Sequence, residues 1–203
     1  LIATSGIVVI WLAGLNIKYF LYSFLTILIS LPFIISFLKP YQKLRILTFL
    51  NPDRDPLGAG YQIIQSKIAV GSGGFFGKGF LKGTQSYLEF LPEKHTDFIF
   101  TLFAEEHGFL GSLFLLLIYM IVIYRVIRIG SVSRSYFAKL YCYGYGSAIF
   151  FYVTVNMSMV LGLLPIVGSP LPIMSYGGSS MLATMIGFAI VMSAKINHKQ
   201  SIA

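Results

Sequence analysis

The chain of 203 residues has a single cysteine, Cys142, which excludes an internal disulfide and a cysteine-built zinc cage. Charge is scarce as well. Only 11% of residues are Asp, Glu, Lys or Arg, against about 25% in soluble domains. So few charges cannot cover a water-soluble globule of this size, and 56% hydrophobic residues with a mean hydropathy of +0.79 point the same way. Disorder is excluded too, since aromatics alone make up 16%. Acid is rarer than base, 7 against 15, which leaves a net charge of +8. In so apolar a chain that excess suggests a membrane surface or an anionic lipid headgroup, and the split of the basic residues described below argues against nucleic acid. The first residue is Leu1, inside an apolar run, without Met or a basic leader region; a piece of a longer membrane protein is expected.

What is present is long uncharged runs: 1–17, 19–38, 108–124, and everything from Leu140 to Ala194. A helix needs about 20 apolar residues to cross the hydrocarbon core. The first three runs supply one crossing each. The last is interrupted by Gly162, Pro165, Gly168, Pro170 and Pro172, and helix interiors reject clustered prolines. It divides into helices over about 140–163 and 177–194. The expected fold class is therefore all-α: a polytopic transmembrane helical bundle of about five membrane helices with a long extracytoplasmic loop. Its parts are two helices in 1–39, the outer segment 40–107, and three helices with a short tail in 108–203.

Crossings alternate sides, so the loops can be sorted. Lys18, the 125–139 loop (Arg125, Arg128, Arg134, Lys139) and the tail (Lys195, Lys199) share one side, with no acid among them. The positive-inside rule makes that side cytoplasmic and the 125–139 loop topogenic. The opposite side holds the 39–107 segment and the charge-free 164–176 loop. All seven acids lie between Asp53 and Glu106, so any chemistry that needs a carboxylate belongs to the outer segment.

Within it, residues 51–60 read as successive turns, and 61–70 as a short amphipathic surface helix. Gly71–Gly79 has five glycines in nine residues. It is neither a P-loop, because Gly79 stands where Ser or Thr would follow the lysine, nor a dinucleotide fingerprint, because Phe76 replaces the third glycine. An anion-cradling loop with Lys78 and a flexible turn both remain open. Thr96-Asp97 precedes a strongly apolar run, a helix-start signal. Two readings of Asp97 stand: a structural cap, or a functional carboxylate at the outer boundary beside Glu93, Lys94 and His95. A helix from Asp97 to Tyr124 would be about 42 Å long, so its first turns must project, tilt or lie in a protein cavity, with Glu105 and Glu106 facing protein, water or a partner. His95 and Asp97 are two possible metal ligands, too few for a protein-built site. Tyr176-Gly177-Gly178-Ser179-Ser180 opens the last helix with small residues, which suit tight packing or a ligand-facing surface.

The stretches GAGYQIIQSKIAVGSGGFFGKGFLKGTQSYLEFLPEKHTDFIFTLFAEEHGFLGS (58–112) and NMSMVLGLLPIVGSPLPIMSYGGSS (156–180) resemble the SEDS family of cell-wall polymerases. GTQSYLEFLPEKHTDF and GLLPIVGSPLPIMSYGG are similar to its elongation branch rather than its division branch. The resemblance runs over essentially the whole chain and implies the C-terminal half of a protein of about ten membrane helices. It implies a peptidoglycan glycosyltransferase that polymerises lipid II on the outer face of the bacterial plasma membrane during elongation and rod-shape maintenance. The family's essential acid in the outer loop falls on Asp97, implied as general base. Lys67, Lys78, Lys82 and Lys94 become candidate partners for pyrophosphate, and Gln65, His95, Ser175, Gly177 and Gly178 further substrate-facing residues. No cofactor is required with certainty; a divalent cation (Mg or Mn) could share the phosphate task. Implied partners are lipid II, the growing undecaprenyl-pyrophosphate-linked glycan, a class B penicillin-binding protein and membrane lipids. Rival readings are a lipid II flippase or transporter, for which the spans carry little charge, and a non-catalytic scaffold for a penicillin-binding protein.

Overall fold

The computed structural model describes residues 2–37, 39–51, 55, 58–83 and 95–197. The regular elements among them are all helical. They run in the order α1 (Ile2–Leu12), α2 (Ile17–Phe37), α3 (Pro40–Leu50), α4 (Ala59–Ser72), α5 (Ile99–Val132), α6 (Tyr136–Val160) and α7 (Gly178–Ile196). The five expected crossings fall on α1, α2, α5, α6 and α7. By length and composition α5 and α7 suffice to span a membrane. In α6 the many Tyr and Gly residues and Asn156 lower the hydropathy, although its 25 residues are long enough.

Local sequence explains most of the ends. Pro40 sits in the first turn of α3, where its missing N–H costs nothing, and the Gln42 side chain accepts from Lys39 N at 3.0 Å. That helix was not apparent in the sequence. Ser135 caps α6, accepting from Ala138 N. The expected surface helix over 61–70 is present as α4 and extends to Ala59 and Ser72. The expected 125–139 loop is much shorter. α5 continues to Val132 and α6 begins at Tyr136, so Arg125 and Arg128 are helical residues.

The helices α5 and α6 form the centre; α1 packs on α6, α4 on α5, and α7 on both. One core cluster joins Ile63, Phe98, Phe100, Tyr119, Ile149, Val153, Met159 and Leu171, which ties α4, the start of α5, the end of α6 and the 164–176 loop together. A second, smaller one joins Val126, Cys142 and Val191 at the other end. The Cys142 thiol is buried and unbridged. Small residues permit the closest approaches, with Gly144 against Val9 and Gly187 against the Tyr145 ring. Large apolar side chains stay exposed along α2 (Leu21, Phe24, Leu28) and on the outer faces of α5 and α7 (Phe114, Ile121, Leu182). Such surfaces would drive aggregation in water and are the expected lipid face of a membrane bundle.

Candidate functional site

The two sequence blocks that carry the resemblance, 58–112 and 156–180, meet in space. The segment His95–Phe98 is an irregular turn leading into α5, and Phe98, not Asp97, occupies the N-cap position. It is held by main-chain carbonyls. Tyr176 N donates to His95 O at 2.9 Å, and Ser175 Oγ donates to Thr96 O at 2.7 Å. Asn156 Nδ2 donates to Asp97 O at 2.8 Å and to Ser169 O at 2.6 Å. Three consecutive peptide carbonyls beside Asp97 are thus fixed by the 164–176 loop and α6. Fixing the backbone restricts where the carboxylate can go.

That loop is itself anchored. Its prolines limit its backbone freedom. Ser175 Oγ also accepts from Leu171 N at 2.6 Å, Tyr119 Oη donates to Pro172 O, and an Arg45 guanidinium nitrogen donates to Ile166 O at 3.2 Å. Ile173 is held at φ 69°, a left-handed conformation that a β-branched residue adopts only when its surroundings impose it. Gly168 has φ 71°, and a Cβ there would lie 3.3 Å from an Asp97 carboxylate oxygen. Only glycine meets both demands, so the loop's main chain lies directly against that carboxylate.

The glycine-rich segment does a different job from either expectation. α5 is broken at Gly108 (φ 65°, ψ −162°), and the segment wraps the break. The freed carbonyls of Glu105 and Glu106 accept from Lys78 N (3.1 Å) and Gly79 N (3.0 Å). On the other side, Phe109 N and Leu110 N donate to Gly74 O (2.9 Å) and Phe75 O (3.2 Å). Irregular backbone near membrane depth persists only where protein satisfies it. The loop N–H groups at Lys78 and Gly79 are therefore committed to α5 and do not form an anion cradle. The Lys78 ammonium pairs with Glu105 at 2.8 Å, and that carboxylate is fully buried. This is the protein environment required for an acid two turns into an apolar helix.

The remaining sequence-predicted residues are placed as follows. Lys67 is exposed, with its terminal carbons against Gly162 just past the end of α6, where a cation also suits the helix dipole. Lys82 is exposed beside Gly79. His95 is exposed, and Ser175 is buried with its hydroxyl in the two bonds above. Gly177 precedes α7 and Gly178 is its first residue; a Cβ on Gly178 would meet nothing within 4 Å. The Gln65 side-chain oxygen is buried and makes no hydrogen bond among the described residues. Lys94, Glu93, Glu89 and half of the 51–60 turn lie outside the described residues. Among the described residues no group of three His, Cys, Asp or Glu could hold a metal ion.

Asn156 was not singled out in the sequence. A lone carboxamide in an otherwise apolar span was the available signal, since buried polar groups must find partners. Beneath the Asp97 segment, an apolar groove of about 440 Å³ runs between α4, α5 and the end of α6; Phe100, Ala104, Gly108 and Met157 are among its walls.

Comparison with known proteins settles the relationship. The FtsW/RodA/SpoVE cell cycle protein model matches residues 1–200. The chain belongs to that family. It is 48% identical over 200 residues to the Escherichia coli (strain K12) peptidoglycan glycosyltransferase MrdB, covering 98% of this chain and 54% of that protein. It is 45% identical over 163 residues to the Treponema pallidum peptidoglycan glycosyltransferase RodA, covering 80% of this chain and 37% of that protein. A solved chain from work on a peptidoglycan synthase complex that coordinates polymerization and crosslinking superposes with a TM-score of 0.77 at 34% identity; the match covers 97% of this chain and 54% of that one. A Thermus thermophilus RodA mutant matches with a TM-score of 0.53 at 33% identity, covering 62% of this chain and 39% of that one. The chain spans about half the length of the curated relatives of the FtsW/RodA/SpoVE family that lead the comparison. Membership and the apolar helices make it a multi-pass inner-membrane protein.

Proposed function

We propose that this chain carries the Asp97 half of a RodA-like peptidoglycan glycosyltransferase, which polymerises lipid II into glycan strands during cell elongation on the extracytoplasmic face of the membrane. The observation that supports this reading most is the junction of the His95–Phe98 turn with the charge-free 164–176 loop. It fixes the backbone around one half-buried carboxylate and lays the Gly168 main chain against it.

In the reaction, the 4-hydroxyl of the incoming disaccharide attacks the anomeric carbon at the reducing end of the growing glycan. A C–O bond forms there, the bond from that carbon to the pyrophosphate oxygen breaks, and undecaprenyl pyrophosphate leaves with the bonding pair. The hydroxyl proton passes to a base, the role assigned to Asp97. Pyrophosphate is a competent leaving group, so positive charge near it matters more than a strong acid. Lys67 and Lys82 are the exposed candidates, while Lys78 is engaged with Glu105. A divalent cation is a further candidate for the charge beside pyrophosphate. The groove beneath Asp97 suits a prenyl chain. A class B penicillin-binding protein is the proposed partner, in keeping with the synthase-complex chain it resembles.

Asp97→Asn in the full-length protein tests the assignment. Polymer formation from purified lipid II in detergent should fall by about 10²–10⁴-fold, the usual contribution of a general base, with insertion and thermal stability unchanged. Near-normal polymerisation by the purified variant would reduce Asp97 to a structural residue. Because detergent leaves no second compartment, polymer made by the unsubstituted protein would also exclude transport as its activity.

A further inference from the structure

The loop that closes the break in α5 carries more exposed apolar surface than a water-facing turn does. Phe76 is 78% exposed, Phe80 73% and Leu81 74%. Phe75 stacks on Phe109 of α5 with ring centroids 5.7 Å apart, and Phe76 packs on Phe75 in an edge arrangement at 5.3 Å. Leu81 is held in a left-handed conformation, φ 60°, with its N–H on a Glu106 carboxylate oxygen at 3.2 Å. A leucine keeps that conformation only where its surroundings impose it, and here they hold an apolar side chain outward. The N–H groups of Gly77, Lys78, Gly79, Leu81 and Lys82 all donate within the protein. Backbone beside lipid has to be satisfied in this way.

The height of the loop follows from α5. Arg125 and Arg128 lie about 26 and 30 Å beyond Gly108 along the helix, at 1.5 Å per residue. The hydrocarbon core is about 30 Å thick, so with the arginines at one boundary the break lies at the other. Phe109 N and Leu110 N donate to Gly74 O and Phe75 O, which sets Phe75 and Phe76 at that boundary. Gly79 N donates to Glu106 O, on the side of the break away from the core, and from there the chain turns to the exposed Lys82. Below the rings, Phe109, Leu113 and Leu117, spaced four apart, continue an exposed apolar stripe down one face of α5.

We propose that Phe75, Phe76, Phe80 and Leu81 form a hydrophobic anchor that dips into the lipid leaflet opposite Arg125 and Arg128, the outer leaflet by the positive-inside rule, with Lys82 above it among the headgroup phosphates. Aromatic rings at the boundary and a long cationic side chain beyond them are what the interfacial region accepts. The occupant is lipid rather than a soluble partner because the patch continues into a stripe of α5 at membrane depth. The anchor holds the loop, and with it Lys82, at a fixed depth beside α5.

Phe76→Trp in the full-length protein, reconstituted into phosphatidylcholine vesicles, tests this through the emission it adds to that of the unsubstituted protein. The added emission should be blue-shifted. It should be quenched by phosphatidylcholine brominated on its acyl chains, more by bromine near the headgroup end than near the methyl end, and spared by aqueous iodide. Quenching by iodide without quenching by brominated lipid would place the loop in water and overturn the anchor. Protection from both quenchers would also overturn it, by showing that protein covers the patch. Should Phe76→Trp not fold, Phe80→Trp is read in the same way and decides by the same outcomes. Asp97 is untouched in either variant, so failure here leaves its assignment standing, and loss of that assignment leaves the anchor standing.

Discussion

Two interruptions of helical structure flank the acid-bearing segment, one at Gly108 within α5 and one between α6 and α7, and they are satisfied by different means. At Gly108 the mending is main chain to main chain. A glycine-rich loop exchanges four backbone hydrogen bonds with the break, and one ion pair, Lys78–Glu105, is buried against it. Between α6 and α7 the mending is done by side chains: Asn156, Ser175 and Tyr119, together with the Arg45 guanidinium at Ile166 O, bind carbonyls of the loop and of the Asp97 segment. The glycine-rich clamp mends α5, and the side-chain network shapes the loop that touches Asp97.

The contrast makes the glycine clamp a determinant of stability and the proline loop a determinant of position. The largest effect is expected from Gly108→Val. The left-handed φ and the Gly77 and Phe75 main chain exclude a Cβ, so strain and overpacking together should cost about 3–5 kcal/mol. A thermal midpoint close to that of the unsubstituted protein would show that the clamp is plastic. Next comes Lys78→Met, which removes the 2.8 Å partner of a buried carboxylate; about 3 kcal/mol of stability should be lost. Much of it should return in Lys78→Met with Glu105→Gln, as read in a double-mutant cycle. Additive losses would mean that the pair does not couple.

A smaller stability effect, about 2 kcal/mol, is expected for Asn156→Leu, which deletes hydrogen bonds to Asp97 O and Ser169 O. Here polymerisation should fall more than stability does. Equal falls would erase the distinction between the two breaks. Gly178→Ala should be the mildest, within about 0.5 kcal/mol, because no atom awaits the added methyl. If polymerisation nevertheless drops sharply while the thermal midpoint holds, Gly178 faces substrate, as the motif suggested.

Much of the fold was legible from charge and proline placement alone. The uncharged runs marked five of the helices, of which α5 and α7 suffice to span a membrane, because a charge in hydrocarbon is costly and its absence is therefore visible over twenty residues. Serine, glycine and proline marked several of the helix ends. The extension of α5 to Val132 was hidden, since arginines at the membrane surface look the same in a loop and in a helix. The candidate site was half legible. Asp97 and the 164–176 loop each stood out by composition, yet nothing local joined them. Ser175 was read as substrate-facing, and the structure shows its hydroxyl bonded to Leu171 N and Thr96 O.

By itself the sequence determined the apolar, helical character of this chain and the one segment where its carboxylates gather. These follow from local composition measured against the thickness of a bilayer. It also carried the motifs that identify the family. Only the tertiary structure decided partnership: that Lys78 belongs to Glu105, that glycines 73–79 close a broken helix, that Asn156 holds the carbonyl of Asp97, and that Phe75 stacks on Phe109. Each of these depends on residues tens of positions apart meeting within a few ångströms. Helical periodicity and hydropathy report only on neighbours within a few turns.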